Sequence, residues 1–376
     1  MKLAFLAPGN LLDIGTWSGI PFHMFRAAQV EFPNSIPIYS PPPTIYQALR
    51  WRLAVWTDYS VELDWLKIVA AVKARSVLFL LKKLRPDLVI SIANTPVGAY
   101  VSRHYPLVHI SDTTFGLMEN YYADFSKFRP WVKRSANELE RLIITRSQAC
   151  LYPSQWAAES AIRDYGADPE RIHFFPWGNN FEFKGEPEDF SDRIGLSAPC
   201  PIVFIGVDWE RKGGDIALET VLRLRRAGIR AHLHVIGVKP EGAENTEAVT
   251  WHGFISKATP EGAVYLDSVL KVAAFLLLPT RQECLGMVFG EANSRGIPAI
   301  TTLTGGVGSV VKQGINGYAL ALSDGPQAYA DLIAEIWSNP QRYLALRDSA
   351  RKYSETTLDW RRWATHLREI IETLDL

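Results

Sequence analysis

The stretch Pro279-Thr-Arg-Gln-Glu-Cys-Leu-Gly-Met-Val-Phe-Gly-Glu-Ala-Asn-Ser-Arg-Gly-Ile-Pro298 decides how this chain reads. It follows an apolar run, Val272 to Leu278, whose unbroken character predicts a buried strand of a parallel sheet. After the turn at Pro279, Gly286 permits close backbone approach, and a helix starting there carries Glu291 on its second turn. A second strand, Ala299 to Thr302, empties into Gly305-Gly306-Val307-Gly308. Two strand ends, two loops of bare backbone and two carboxylates, Glu283 and Glu291, therefore meet on one edge of a sheet. Unpaired N–H groups at a helix start suit a phosphate. An ionised Glu accepts from hydroxyls, which suits a sugar. Backbone N–H groups from Leu285 through Gly286 to Met287 would face both.

Outward from that edge, the chain has the length for two domains, each with its own core: 376 residues, 47% of them hydrophobic. Lys+Arg and Asp+Glu are equal at 40 each, so no net field draws nucleic acid or an acidic surface. Cys150, Cys200 and Cys284 are too few and scattered for a disulfide framework or a zinc site, which fits a reducing cytoplasm. Met1 to Pro8 reads as a first strand and not as a signal peptide. No run reaches the ~20 apolar residues that a bilayer demands. A cytoplasmic location, at most at the inner face of the membrane, is the expectation.

Short apolar strands alternate with longer helical patterns, as in a doubly wound α/β sheet. The N-terminal half predicts strands at Leu3 to Ala7, Leu88 to Ile92, Leu107 to Ile110, Ala149 to Tyr152 and Ile172 to Phe175. Phe181 to Pro201, with three prolines and a cluster of acids, reads as a linker. The rhythm restarts with a strand at Pro201 to Gly206, a helix from about Gly214 to Ala227 and a strand at Ala231 to Ile236. His252-Gly-Phe254 reads as the opening of a loop.

Glu283 and Glu291, seven residues apart, resemble the Glu-x7-Glu signature of the retaining glycosyltransferases of family 4, here of a bacterial branch. Gly206-Val-Asp-Trp-Glu-Arg-Lys-Gly213 is similar to that family's strand-to-helix turn, and Pro176-Trp-Gly-Asn-Asn180 to the segment closing its N-terminal domain. Gly15-Thr-Trp-Ser-Gly19 resembles its glycine loop; Asp112-Thr-Thr-Phe115 and Ser154-Gln-Trp-Ala-Ala158 resemble segments of the bacterial branch. Three positions depart from the pattern. Val207 stands where Arg is frequent, Ser111 where a His is common (His109 lies two residues earlier), and Cys284 where Pro is usual.

The resemblance implies a GT-B architecture, two Rossmann-like doubly wound domains facing across a cleft. Residues 1–182 would form the acceptor domain, rejoined by a C-terminal helix over 358–376, and residues 200–357 the nucleotide-sugar donor domain. It also implies transfer of a sugar from a nucleoside diphosphate sugar to an acceptor hydroxyl, with retention, in glycan or polysaccharide biosynthesis. Glu283, Lys212, Arg211 and Asp112 are the candidate catalytic residues. Gly19, Gly206, Leu285, Gly286, Met287, Glu291, Gly305 and Gly306 are the candidate donor-binding residues.

Lys212 and Arg211 would neutralise the diphosphate as the glycosidic bond breaks. Each candidate also has a plainer reading: an exposed helix Glu, a solvated basic turn, a glycine that only turns the chain, an Asp112 that caps a helix, a His109 in the core. No Asp-x-Asp and no His/Cys ligand spacing is present, so no metal and no cofactor are expected. The partners would be the sugar nucleotide and a glycan or lipid-linked acceptor, not nucleic acid. Trp51, Trp56 and Trp65 among Arg50, Arg52, Lys67 and Lys73 suggest a peripheral membrane contact, or an ordinary amphipathic helix. Two other classes stay open: a nucleotide-sugar epimerase, and a non-catalytic scaffold that keeps the nucleotide pocket.

Overall fold

A computed structural model describes residues 1–39, 62–180, 194–195, 198–256 and 259–375. Within them the chain forms two six-stranded sheets, every strand pair parallel. The first holds β1 (Leu3–Leu6), β2 (Ile36–Ile38), β3 (Leu88–Ile92), β4 (Leu107–Ile110), β5 (Ala149–Tyr152) and β6 (Ile172–Phe174), in the order β2-β1-β3-β4-β5-β6. The second holds β7 (Pro199–Gly206), β8 (Arg230–Gly237), β9 (Val249–Gly253), β10 (Phe275–Leu278), β11 (Ala299–Thr302) and β12 (Gly317–Leu320), in the order β12-β11-β10-β7-β8-β9. In each sheet the chain runs to one side of the first strand and then crosses to the other. Sheet order therefore reverses between β1 and β3, and again between β7 and β10. Ligands of open α/β sheets bind beyond the strand ends at such reversals.

The chain divides into two compact units, Met1–Trp177 with Trp360–Leu376, and Gly178–Asp359. Most of the linker reading, 181–201, lies outside the described residues; Pro199 to Pro201 belong to β7. The last helix, Trp360–Glu372, is part of the first unit and packs on the helix Ile20–Glu31. Trp363 and Leu367 are buried, and Arg368 Nε lies 3.0 Å from a Glu31 carboxylate oxygen. Residues 358 and 359 stand before that helix: Leu358 ends the preceding one, Pro340–Thr357.

Four strands differ from the sequence expectation. Val272 ends the helix Pro260–Val272 and does not start β10, because seven apolar residues in a row look alike at a buried helix end and in a strand. β2, β9 and β12 were not expected. β2 is a three-residue edge strand containing Pro37, which removes a donor that a central strand would need. β9 takes in His252 and Gly253, which read as a loop because an edge strand tolerates polar side chains.

β3 and β4 in the first sheet and β10 and β11 in the second are buried along their whole length, so both faces must be covered by helices. Under β10, the Phe275 ring lies 5.2 Å from Tyr343 and 6.1 Å from Trp337, and the Tyr343 hydroxyl donates to Ala274 O at 2.8 Å. We expect Phe275→Ala to destabilise the second unit by about 3–5 kcal/mol, the cost of an unfilled aromatic cavity. Urea unfolding followed by tryptophan fluorescence measures it; a loss below about 1 kcal/mol would contradict this packing.

Candidate functional site

Two loops leave the second sheet at its reversal point, one after β7 and one after β10. In the first, Asp208 Oδ1 accepts from Arg211 N at 3.0 Å, and Lys212 N donates to Asp208 O at 3.1 Å. This tight turn ends at Gly213, whose φ of +72° suits glycine. A Cβ there would stand 2.0 Å from Pro279 O, so the turn is pressed directly onto the loop after β10. Gly206 serves differently: a Cβ on it would lie 2.9 Å from Lys212 Cγ, and its bare backbone makes room for that side chain.

The two loops are also stitched by polar bonds. Arg281 N donates to Arg211 O at 2.8 Å, and Arg211 Nη1 donates to Gln282 O at 3.0 Å. Lys212 Nζ pairs with the Glu283 carboxylate, the two side chains being 13% and 12% exposed. A third loop joins them, since Gly306 N donates to Glu283 O at 3.2 Å and the Thr304 hydroxyl donates to Arg281 O at 3.2 Å. Gly305 in that loop has φ +53°. Residues far apart in sequence, Arg211, Lys212, Glu283, Gly305 and Gly306, are thus brought to one corner.

Gly286, with φ +87°, starts the helix Met287–Asn293. A Cβ there would meet the Phe289 ring at 2.3 Å, so the turn depends on glycine. Leu285 is buried, Met287 is half-buried, and Glu291 is buried at 8% exposure. The burial of Glu291 removes the reading of an exposed helix Glu.

Three supports were not legible in the sequence. Asp215 at the start of the helix Gly214–Arg226 pairs with Arg281 at 2.7 and 2.9 Å, which holds the Asp215 carboxyl below its ordinary value. Arg295, whose pKa burial lowers, pairs with Asp267 at 2.8 Å and sits one turn beyond Glu291. Asn179 Nδ2 donates to Ser354 Oγ at 2.6 Å, and a Cβ on Gly290 would lie 2.0 Å from Asn179 Oδ1. The glycine before Glu291 was the available signal for that last contact.

The first unit carries the other two candidates. Gly19 (φ +80°) starts the helix Ile20–Glu31, preceded by Trp17 at φ 44° and Ser18 at φ 57°. Two non-glycine residues in the left-handed region are costly and concentrate where a function holds them. Asp112 is half-buried in the turn after β4 and is not a helix cap; that position belongs to Thr114. Its neighbours are spent on fixing the turn. The Ser111 hydroxyl donates to Thr113 O at 2.8 Å, Thr114 and Ser160 hydroxyls lie 2.6 Å apart, and Gly116 N donates to the Tyr165 hydroxyl at 2.7 Å. His109 is fully buried and burial pushes it down to about 4, so it is a neutral core histidine. Cys284 is buried.

Trp65, one aromatic of the membrane reading, is half-buried. Trp65 packs 4.8 Å from the Phe115 ring, while Lys67 and Lys73 pair with Glu138 and Asp64. Trp51, Trp56, Arg50 and Arg52 lie outside the described residues. Among the described residues no helix is long and apolar enough to cross a membrane.

Comparison with known proteins matches both halves of the chain to related families. Residues 38–183 match the model described as Glycosyltransferase Family 4, and residues 200–339 the one described as Glycosyl transferases group 1. The chain is 26% identical to a D-inositol 3-phosphate glycosyltransferase of Xylanimonas cellulosilytica over 57% of this chain and 54% of that protein. It is 26% identical to D-inositol 3-phosphate glycosyltransferase 1 of Catenulispora acidiphila over 69% and 65%. The chain thus spans less than two thirds of the length of these relatives. Among solved structures, sucrose-phosphate synthase from Thermosynechococcus elongatus is similar with a TM-score of 0.69 at 14% identity, covering 99% of this chain and 98% of that one. Anabaena Alr3699/HepE in complex with UDP is similar with a TM-score of 0.67 at 14% identity over the full length of both. The fold is the two-domain α/β fold of the GT-B type.

The ion pair gives a test of the corner itself. Removing one partner of a mostly buried pair strands the other charge. Lys212→Met and Glu283→Gln should each destabilise, and the double variant should recover a coupling of about 1–3 kcal/mol in a urea double-mutant cycle. Strict additivity would mean that the two side chains do not meet in solution.

Proposed function

The chain belongs to the family 4 glycosyltransferases, and from that premise we propose that it moves a sugar from a nucleoside diphosphate sugar to an acceptor hydroxyl. The observation that carries the reading is the corner at the reversal of the second sheet. There the Lys212 ammonium, the Arg211 guanidinium, the Glu283 carboxylate and the glycine turns at Gly213 and Gly305 meet, and Glu291 lies on the helix that follows the same loop after β10. The chemistry of that set divides cleanly. Lys212 and Arg211 offer positive charge to a diphosphate; Glu291 offers a carboxylate to ribose hydroxyls; Glu283 offers one to the sugar.

When the bond between the anomeric carbon and the diphosphate oxygen breaks, negative charge grows on the leaving oxygen. A cation fixed in advance stabilises that charge more than it stabilises the bound substrate, which is what lowers a barrier. In the proposed reaction the acceptor oxygen bonds to the same carbon on the same face. The departing diphosphate takes the acceptor's proton, and the sugar keeps its anomeric configuration. The Lys212 and Arg211 charges stand in for a divalent ion in this account, so turnover without added metal belongs to the proposal. The first unit would serve the acceptor, taken to be a glycan or a lipid-linked hydroxyl in glycan assembly at the cytoplasmic side, with Asp112 to orient a hydroxyl and the bare backbone of Gly19 to approach the donor.

Incubation with a panel of UDP-, GDP-, ADP- and TDP-sugars, with and without EDTA, tests the reading by release of nucleoside diphosphate. We expect release from one donor class, unchanged by EDTA, and a fall of at least 100-fold in Glu291→Ala and in Lys212→Ala. Full activity in both variants would undo the site. Product from donor alone with an altered sugar would favour an epimerase, and no release from any donor would favour a scaffold.

A further inference from the structure

One buried acid has no part in the proposed reaction. Glu140 lies midway along the helix Pro130–Arg146, on the stripe that also buries Val132, Ala136, Leu139 and Ile143. It is 1% exposed, and its Oε1 has no hydrogen-bond partner. An apolar side chain would fill this position at less cost than a carboxyl, since a buried polar group without full partners is unfavourable. Its surroundings suggest what it supports.

Two short helices begin beside it, Thr95–Val101 and Phe115–Tyr121, and neither has a side-chain cap of its own. The Thr95 hydroxyl and the Phe115 N–H, at their respective first turns, both act on the Glu140 carboxyl. Asp112, three residues before Phe115, acts on it from the turn after β4. From β5, Cys150 and Tyr152 feel its charge; so does Tyr165 at the end of the helix Gln155–Tyr165, whose hydroxyl also holds Gly116 N and reaches Asn137. None of the groups acting on Glu140 is a cation.

We propose that Glu140 is a positioning residue that braces the Asp112 turn from the inside, standing behind the first turns of both helices. Its consequence for transfer rests on the Asp112 reading given above; its consequence for the turn does not. Burial pushes the Glu140 acid up to about 8, against the pull of Thr95 and Phe115, and the Asp112 charge pushes it the same way. It is therefore neutral at pH 7 and adds no negative charge of its own behind Asp112. Burial also raises the Cys150 thiol to about 12 and the Tyr152 and Tyr165 hydroxyls upward, so these stay neutral while Glu140 titrates. Above about pH 8 an ionised Glu140 would face Asp112 in the core, and the turn would loosen.

The stability sign follows from proton counting. Between the ordinary carboxyl value and about 8 the folded chain keeps a proton that the unfolded chain has lost. Stability contributed by Glu140 therefore falls as pH rises through that window and is level above it. Glu140→Gln keeps the shape and removes the ionisation.

Hydrogen–deuterium exchange over residues 111–118, with the helix 20–31 as internal control, separates bracing from mere packing. Comparing the wild-type chain and Glu140→Gln at each pH cancels the intrinsic chemistry of exchange. We expect the two proteins to diverge over 111–118 as pH rises from 5 to 9.5, ending with exchange at least ten-fold faster in the wild-type chain than in Glu140→Gln. The melting-temperature advantage of Glu140→Gln should widen from pH 5 to 8. Equal protection of the two proteins up to pH 9.5 would overturn the proposal. Should Glu140→Gln fail to fold, the wild-type chain decides: protection of 111–118 must fall relative to the control helix between pH 7 and 9.5, and a constant ratio refutes the brace. Asp112→Asn turnover, measured separately, shows whether the turn serves transfer, so either reading can fail without the other.

Discussion

The pairing of Lys212 with Glu283 is the contact on which the second unit's candidate site depends. It joins the loop after β7 to the loop after β10, and these strands are neighbours only because the sheet reverses between them. A cation alone at a strand end would be solvated and mobile. Held against a carboxylate at low exposure, with Gly213 pressed on Pro279 and Arg211 reaching Gln282, the charge has a fixed place. Preorganised charge of this kind needs little rearrangement when a reacting group arrives, and that is where most of its catalytic value lies.

The same pairing has a cost that suits the proposed reaction. In the ligand-free chain each partner satisfies the other. A bound diphosphate would compete for Lys212 and a bound sugar for Glu283, so ligand affinity is the difference between two sets of contacts, not the sum of one. The surrounding supports, Asp215 on Arg281 and Asp267 on Arg295, leave the backbone in place while those two side chains exchange partners. The first unit follows a parallel plan with different chemistry. Its turn after β4 is held by hydroxyls of Ser111, Thr114, Ser160 and Tyr165, and the half-buried Asp112 lies in that turn.

Much of this was legible before any coordinates. Short, mostly apolar runs located β3, β4, β5 and β11 to the residue, because strands buried on both faces are rich in aliphatic side chains even where Ser91, His109, Thr301 and Thr302 interrupt them. Edge strands escaped for the opposite reason: β2 carries a proline and β9 two polar aromatic residues, and neither has a period to read. Glycine turns at Gly213 and Gly286 were visible because only their backbone conformation fits there. The long-range partners were not. Nothing in local sequence links Asn179 to Gly290, Asp267 to Arg295, or Glu140 to the turn at Asp112.

The central claim is that the corner at the end of β7 and β10 holds a nucleoside diphosphate. A crystal structure of the chain with UDP, or with whichever diphosphate it binds best, tests it most directly. The account predicts the β-phosphate against Lys212 and Arg211, the ribose hydroxyls on the Glu291 carboxylate, and Glu283 turned from Lys212 toward the place of the sugar. A nucleotide bound elsewhere on the chain, with the Lys212–Glu283 pair intact, would contradict it.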